Sequence, residues 1–248
     1  MYLSSTKSIV VRYPRLVSGI DGGAVIEDWC LGRIWAAVKA GGHTGIAMMT
    51  PGSSVKRTLP EDIRDLTLKE AAQGILSWNM EEASLAMAAI NCFYNTPERM
   101  LSIGCSEPYE NYCTRGLEYE GRRIGVVGHM RLTGEMRDKA SEVITLERDP
   151  KDGDLPDPAC EFVLPSCDIA VISGSTFINK TLPRLLALTE NAETILIGPS
   201  VPMCPELIGK GVDRLSGLCI TDAERAFEHV ASDRGGNPYI LGGSFLLM

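Results

Sequence analysis

The chain has 248 residues, of which 44% are hydrophobic and 23% are charged, a balance typical of a globular protein and not of a disordered one. Its formal net charge of -8 disfavours nucleic acid as a partner, because phosphate binding needs clustered cations. It contains no apolar run long enough to span a membrane and no apolar signal segment at the N-terminus. We therefore expect a cytoplasmic protein with no membrane partner.

Residues 1–115 have the pattern of an α+β domain. Short apolar runs at residues 24–30, 34–38 and 46–49 predict strands, the last two separated by a glycine-containing turn. The strands would form a small sheet against which the following helices can pack.

Two helix start signals follow these strands. Thr67 and Glu70 are spaced as a capping box, and the helix that they predict carries Leu76 on its apolar face. Asn79 predicts the start of a second helix, which we expect Pro97 to close.

Residues 116–248 alternate between predicted strands and helical crossovers, and Asp222 is expected to cap the last helix. Runs rich in valine and isoleucine predict strands buried on both faces, at residues 123–127, 143–146, 169–172, 194–197 and 218–220. This alternation favours a Rossmann-like, mostly parallel sheet, so the whole chain is predicted to be α/β. In such sheets ligands bind beyond the carboxyl ends of the strands.

The first of these strands ends in Gly128 and His129. A dinucleotide fingerprint is absent, because Arg131 stands at the third glycine position and the spacing of the first two is wrong. Gly128 either lets a ligand approach the backbone or forms a simple turn. His129 is a candidate acid, base or ligand, or else a partly buried polar residue.

Glu147 ends the second strand. Its distance from Gly125 is about that at which Rossmann folds place an acid against ribose hydroxyls. The alternative is a surface carboxylate paired with Arg148. His129 and Glu147 are our two candidate catalytic residues.

Small and polar residues are concentrated after the third and fourth strands. Amides and hydroxyls at such an edge favour the binding of an anion, a carboxylate or a phosphate. The alternative is that these residues only cap the next helix and form an ordinary connection between elements. We expect the helix after the third strand to start near Thr181, with Pro183 in its first turn. A serine-hydrolase elbow, GxSxG, is absent. The candidate ligand-binding residues are Ser173, Gly174, Ser175, Thr176, Asn179, Gly198, Pro199 and Ser200.

Asn91 lies one position from the apolar stripe of its helix. A buried asparagine must find partners, so Asn91 either faces a cleft between the two parts or belongs to a core hydrogen-bond network. We include it among the candidate ligand-binding residues.

The eight cysteines form no CxxC pair, and the three histidines have no zinc-ligand spacing. We interpret most of the cysteines as buried apolar residues. Convergence of Cys105 with Cys113, or of Cys167 with Cys204, stays open, and so does the identity of any metal ligand.

Several segments together resemble the putative heavy-metal-chelation family, a prokaryotic family of poorly defined function. They are AAIN at 88–91, GVVG at 125–128, ERDP at 147–150, SGSTFINKT at 173–181, GPSVP at 198–202, GVD at 211–213 and LSG at 215–217. One departure is Val201, where a small hydroxyl residue is expected. The resemblance implies an enolase-N-terminal-like domain at residues 1–115 and a Rossmann-like domain at residues 116–248, with a cleft between them.

The resemblance also implies that the protein handles metals or chelating metabolites. One hypothesis is binding of a small polar or anionic metabolite, chelator-, pterin- or flavin-like, with condensation, hydrolysis or group transfer all open. The other is non-catalytic binding of a metal ion or metal–chelate complex. A nicotinamide oxidoreductase is disfavoured by the missing fingerprint, whereas S-adenosylmethionine and a metal ion stay open as cofactors. The apolar tail, residues 239–248, predicts an edge strand or a homodimer contact.

Overall fold

The computed structural model describes residues 12–52, 55–105, 116–130 and 132–248. Its first part contains a three-stranded antiparallel sheet in the order β1-β2-β3. The hairpin between the second and third strands turns at Gly41 and Gly42, with φ of 58° and 77°, the left-handed backbone that a tight two-residue turn requires. The strands are β1 (Ile26–Leu31), β2 (Trp35–Ala40) and β3 (His43–Met48).

Around this sheet lie α1 (Arg12–Ser18), α2 (Leu68–Ala72), α3 (Met80–Tyr94) and α4 (Pro97–Ser102). The capping box of Thr67 and Glu70 is confirmed, as is the cap of Asn79 on α3. One expectation was wrong, since Leu76 is exposed in the 3₁₀ turn that follows α2. α3 ends at Tyr94, shortly before Pro97 as expected, and Pro97 starts α4, where its missing N–H costs nothing.

Both faces of the small sheet are covered, which explains why β2 is an almost continuous apolar run. Ala36 and Val38 face the main core below α3, whereas Trp35 and Ala37 face a second cluster with the C-terminal helix. The backbone of β3 touches α3 directly, since a Cβ at Gly45 would lie 2.1 Å from the Cys92 nitrogen. Only glycine permits this approach.

The second part is built on a seven-stranded sheet in the order β10-β9-β8-β7-β4-β5-β6, parallel except for β10. All five predicted strands are confirmed, with small shifts at their ends. The strand order reverses between β4 and β7, which is the topological switch point of a Rossmann-like sheet. The strands are β4 (Arg123–Val127), β5 (Glu142–Glu147), β6 (Leu155–Pro156), β7 (Ile169–Ser173), β8 (Glu193–Gly198), β9 (Arg214–Ile220) and β10 (Gly242–Leu247).

Short helices connect these strands. Asp222 caps the last helix and Thr181 precedes α8, as the sequence predicts. The short helix after β7 was not predicted, because its run of serine and threonine is typical of a loop. The helices are α5 (Gly134–Lys139), α6 (Cys160–Val163), α7 (Ser175–Ile178), α8 (Leu182–Leu188) and α9 (Ala223–Ala231).

The C-terminal tail forms β10, which pairs antiparallel with β9 at one edge of the large sheet. The edge strand expected from the apolar tail is therefore confirmed, whereas the homodimer stays a prediction. In the described ranges, no helix combines the length and apolarity needed to cross a lipid bilayer.

The two parts share one hydrophobic core. The side chain of Asn95, just after α3, joins them: its Nδ2 donates to the carbonyls of Val201 and Leu218 at 2.9 and 3.1 Å, and its Oδ1 accepts from the Met203 N–H at 2.9 Å. The domain boundary expected between residues 115 and 116 falls at the end of residues 106–115, which lie outside the described ranges. This boundary stays a prediction.

Candidate functional site

A cleft of about 340 Å³ opens at the switch point, between the carboxyl ends of β4, β5 and β7. This is the position at which open α/β sheets bind ligands. Met48, at the end of β3, forms part of the wall, so both parts of the chain contribute. The lining residues are Met48, Val127, Gly128, His129, Leu146, Glu147, Arg148, Asp149, Lys151, Asp157, Ser173, Ser175, Thr176, Asn179 and Thr181.

Gly128 lets the ends of two strands come close together at the base of the cleft. Its φ is 105°, and a Cβ there would lie 3.1 Å from the Cβ of Ser173. Its N–H donates to the Leu146 carbonyl at 3.0 Å, which continues the sheet pairing past the end of β4. A side chain at this position would meet both strain and crowding.

The ring of His129 bonds to one carboxylate and lies near a second. Its Nε2 lies 2.5 Å from Oδ2 of Asp154, and its Nδ1 lies 3.6 Å from Oε2 of Glu147. The hydrogen bond with His129 lowers the pKa of Asp154, and the N–H of Lys151, which donates to the same oxygen at 2.8 Å, lowers it further. Asp154 is thus an ionised partner that orients the imidazole.

Two backbone donors hold the carboxylate of Glu147. Oε1 accepts from the Arg148 N–H at 2.7 Å, and Oε2 accepts from the His129 N–H at 3.0 Å. The bond from Arg148 comes from its main-chain N–H and not from its guanidinium group, and Glu147 lines the cleft.

Hydroxyl groups line the end of β7. The Oγ atoms of Ser173 and Ser175 lie 3.0 Å apart, and Thr176 donates to the Ser173 carbonyl at 2.6 Å. The Oδ1 of Asn179 accepts from both the N–H and the hydroxyl of Thr181, at 3.1 and 2.7 Å, and so joins α7 to α8. The hydrogen bonds that these side chains make with one another and with nearby backbone are typical of helix capping, and the same side chains also line the wall of the cleft.

Lys180 lies between two residues that line the cleft and has the left-handed φ of 65°. Its Nζ donates to the Ile178 carbonyl at 2.9 Å and lies 5.8 Å from the ring centre of Tyr13. Burial lowers the pKa of Lys180 to about 8, because a half-buried ammonium group loses part of its hydration.

The other expected ligand-binding residues do not line the cleft. Asn91 belongs to the hydrogen-bond network expected as its alternative, since Nδ2 donates to the carbonyls of Ile46 and Pro199, both at 2.9 Å. The Oγ of Ser200 accepts from the Met48 N–H at 2.9 Å. Gly174 packs against the loop after β8, where a Cβ would lie 2.7 Å from the Ser200 carbonyl carbon.

Gly198, with φ of 117°, and Pro199 belong to the same loop, which packs behind the cleft wall. Val201, the departure from the family pattern, is fully buried there and offers its carbonyl to Asn95. Sequence reasoning missed Met48, Asp154 and Asp157, because no local pattern tells which side chains of a distant strand or loop reach the switch point.

The donor set of the described residues does not fit a resident metal ion. No three histidine, cysteine or acidic side chains in the described ranges are grouped so that they could hold one. Burial raises the pKa of Cys92 and Cys219 to about 12 and of Cys105 and Cys160 to about 11, as expected for cysteines that serve as buried apolar residues. Cys113 lies outside the described residues, so its convergence with Cys105 stays a prediction.

Solved structures with the same fold include two proteins of unknown function from the DUF364 family. The crystal structure from Desulfitobacterium hafniense has 31% sequence identity and a TM-score of 0.85, with 100% of this chain and 99% of that chain covered. The one from Pyrococcus horikoshii has 23% identity and a TM-score of 0.76, with the same coverage, and supports the fold alone.

An uncharacterised protein of Methanocaldococcus jannaschii is 30% identical over 165 residues, which span 60% of this chain and 59% of that relative. Two family models match, DUF4213 at residues 13–94 and DUF364 at residues 116–246, both described as "Putative heavy-metal chelation". The likeness of residues 1–115 to an enolase N-terminal domain stays a prediction, whereas the second match covers more than half of the chain and the small antiparallel sheet with a larger, mostly parallel sheet matches the structure from Desulfitobacterium hafniense. The chain therefore belongs to this heavy-metal-chelation family.

Proposed function

We propose that the protein binds a small polar metabolite, chelator-, pterin- or flavin-like, in the cleft at the switch point. The observation that carries the proposal is the coincidence of a concave site with hydroxyl, amide and carboxylate groups at the carboxyl ends of β4, β5 and β7. Its size is at the lower end for ligand pockets, which favours a small guest.

The apolar part of the lining supports a ligand with a flat or hydrocarbon face. Met48 and Val127 would contact that face, and the hydroxyls near Ser173 would pair with its polar edge. Small-molecule sites commonly combine an apolar wall with a few placed polar groups.

In a catalytic version of this function, His129 would move the proton. With Nε2 engaged by Asp154, only Nδ1 is left to exchange a proton with a ligand, and this atom lies beside Glu147. Asp154 would act as the positioning residue. Condensation, hydrolysis and group transfer all remain compatible with this arrangement.

A second candidate is non-catalytic capture of a metal already bound to a chelator. The family description favours a role in metal handling, whereas no three histidine, cysteine or acidic side chains among the described residues are grouped to hold a metal ion directly. A chelate would meet the protein through its organic groups, so this candidate uses the same cleft.

The test is ligand binding measured by native mass spectrometry and thermal shift against a defined panel of pterins, flavins, sugars and nucleosides. Ser175→Phe fills the cleft from the end of β7, and Ser102→Phe makes the same change at an exposed serine of α4. We expect a panel member to bind the native chain and Ser102→Phe, and to be lost from Ser175→Phe. Binding that survives Ser175→Phe, or a panel without any binder, would contradict the proposal.

A further inference from the structure

Two backbone donors fix the orientation of the Glu147 side chain. It is held from two loops at once, with one backbone N–H on each carboxylate oxygen, at 2.7 and 3.0 Å. Only 20% of the side chain is exposed, and Glu147 is one of the residues that line the cleft. Each oxygen of an ionised carboxylate has two acceptor positions, so each retains one after binding its backbone donor. Such a carboxylate is prepared to accept two neighbouring hydroxyl groups.

The cleft that Glu147 lines has room for a ring. Its volume of about 340 Å³ is within the range of small-molecule sites, so a ring can lie in it with two adjacent hydroxyls directed to the carboxylate.

The charges of the lining disfavour a phosphate group. Glu147, Asp149 and Asp157 contribute carboxylates, against the cations Arg148 and Lys151, so the cleft has no excess of positive charge. The helix after β4 does not help either: α5 is six residues long, none of them lines the cleft, and Thr133 already accepts from the Met136 N–H in its first turn.

We propose that Glu147 binds the vicinal diol of an uncharged ligand, as presented by the ribose of a nucleoside without phosphate or by a free sugar. This inference rests on the proposed function and narrows its ligand class. The carboxylate accepts both hydroxyls at once, while its two backbone donors hold it in the plane that the diol requires.

Calorimetric titration of the native full chain tests the diol directly. Adenosine, 2′,3′-dideoxyadenosine, adenosine monophosphate and methyl β-D-ribofuranoside are the probes. We expect adenosine to bind at least about tenfold more tightly than the dideoxy compound, because two hydrogen bonds to a charged acceptor are lost, and more tightly than the monophosphate. Binding of the methyl riboside alone would identify a sugar as the source of the diol.

Two variants complete the test. Glu147→Gln should weaken the binding of the diol probe at least about tenfold, whereas Glu142→Gln changes a carboxylate at the opposite end of the same strand and should leave it unchanged. The comparison of adenosine with its dideoxy analogue uses the native chain and stays informative if Glu147→Gln folds poorly.

Equal affinity for adenosine and its dideoxy analogue, or an affinity unchanged by Glu147→Gln, would overturn the diol proposal. So would the absence of binding by both adenosine and the riboside. In that case a pterin or flavin that binds the native chain but not Ser175→Phe would leave the proposed function standing without its diol.

Discussion

Asn95→Ala should destabilise the whole chain, because this side chain connects the two parts through three buried hydrogen bonds. Asn95 is 6% exposed. Its removal leaves two carbonyls, of Val201 and Leu218, and the Met203 N–H without their partner. All three belong to buried residues, where water cannot readily replace the amide.

Breaking a buried hydrogen bond and leaving its partner unpaired costs about 1 to 1.5 kcal/mol, at the lower end of the usual range. Three such bonds therefore predict a loss of about 3 to 4.5 kcal/mol in the free energy of unfolding. This is a large fraction of the roughly 5 to 15 kcal/mol that stabilises an ordinary domain.

Urea denaturation followed by circular dichroism and tryptophan fluorescence measures this loss. The matched control is Asn237→Ala, which removes one bond to the Tyr239 N–H at an exposed cap and should cost less than about 1 kcal/mol. If Asn95→Ala also cost less than about 1 kcal/mol, our view of one shared core joined at this residue would be wrong.

Three further changes test other features. Gly45→Ala should cost about 3 kcal/mol or more in unfolding free energy, because the new Cβ would lie 2.1 Å from the Cys92 nitrogen. A soluble variant with the stability of the native chain would refute the contact of β3 with α3. Thr67→Ala removes the capping box of α2 and should lower the free energy of unfolding by about 1 kcal/mol in the same urea assay. An unchanged free energy of unfolding would show that the cap does not form. Lys180→Met should raise stability at pH 7 by about 1 to 2 kcal/mol, since the native fold there buries an ammonium group whose pKa is lowered to about 8. The folded chain loses the Lys180 proton near pH 8, whereas the unfolded chain keeps it up to the ordinary pKa of 10.5. The stability of the native chain therefore rises between pH 8 and 10.5, and the advantage of Lys180→Met becomes smaller. An advantage that does not change with pH would contradict this.

The candidate site could be predicted in part. Gly128, His129, Glu147 and the hydroxyl run after β7 follow buried strands directly, so the rule for ligand position in parallel sheets places them at one edge. Asn91 and Ser200 carry the same residue types but make structural bonds, and nothing in their local sequence distinguishes the two roles.

The sequence alone determined the elements whose signals are local. Apolar runs of β-branched residues predict the strands of the large sheet, and side chains that bond to nearby backbone donors predict the starts of α2, α3 and α9. The family resemblance likewise rests on short contiguous motifs. These signals need only a few consecutive residues, so they can be read before the chain is folded.

Tertiary structure alone decided which distant groups meet. That Asp154 engages His129, that Met48 closes the cleft, and that the loop after β8 bonds to Asn91 all depend on strand order and on packing across the shared core. Contacts of this kind are selected by the burial of both sheet faces and by the need of buried polar groups for partners, which are properties of the whole fold and not of any segment.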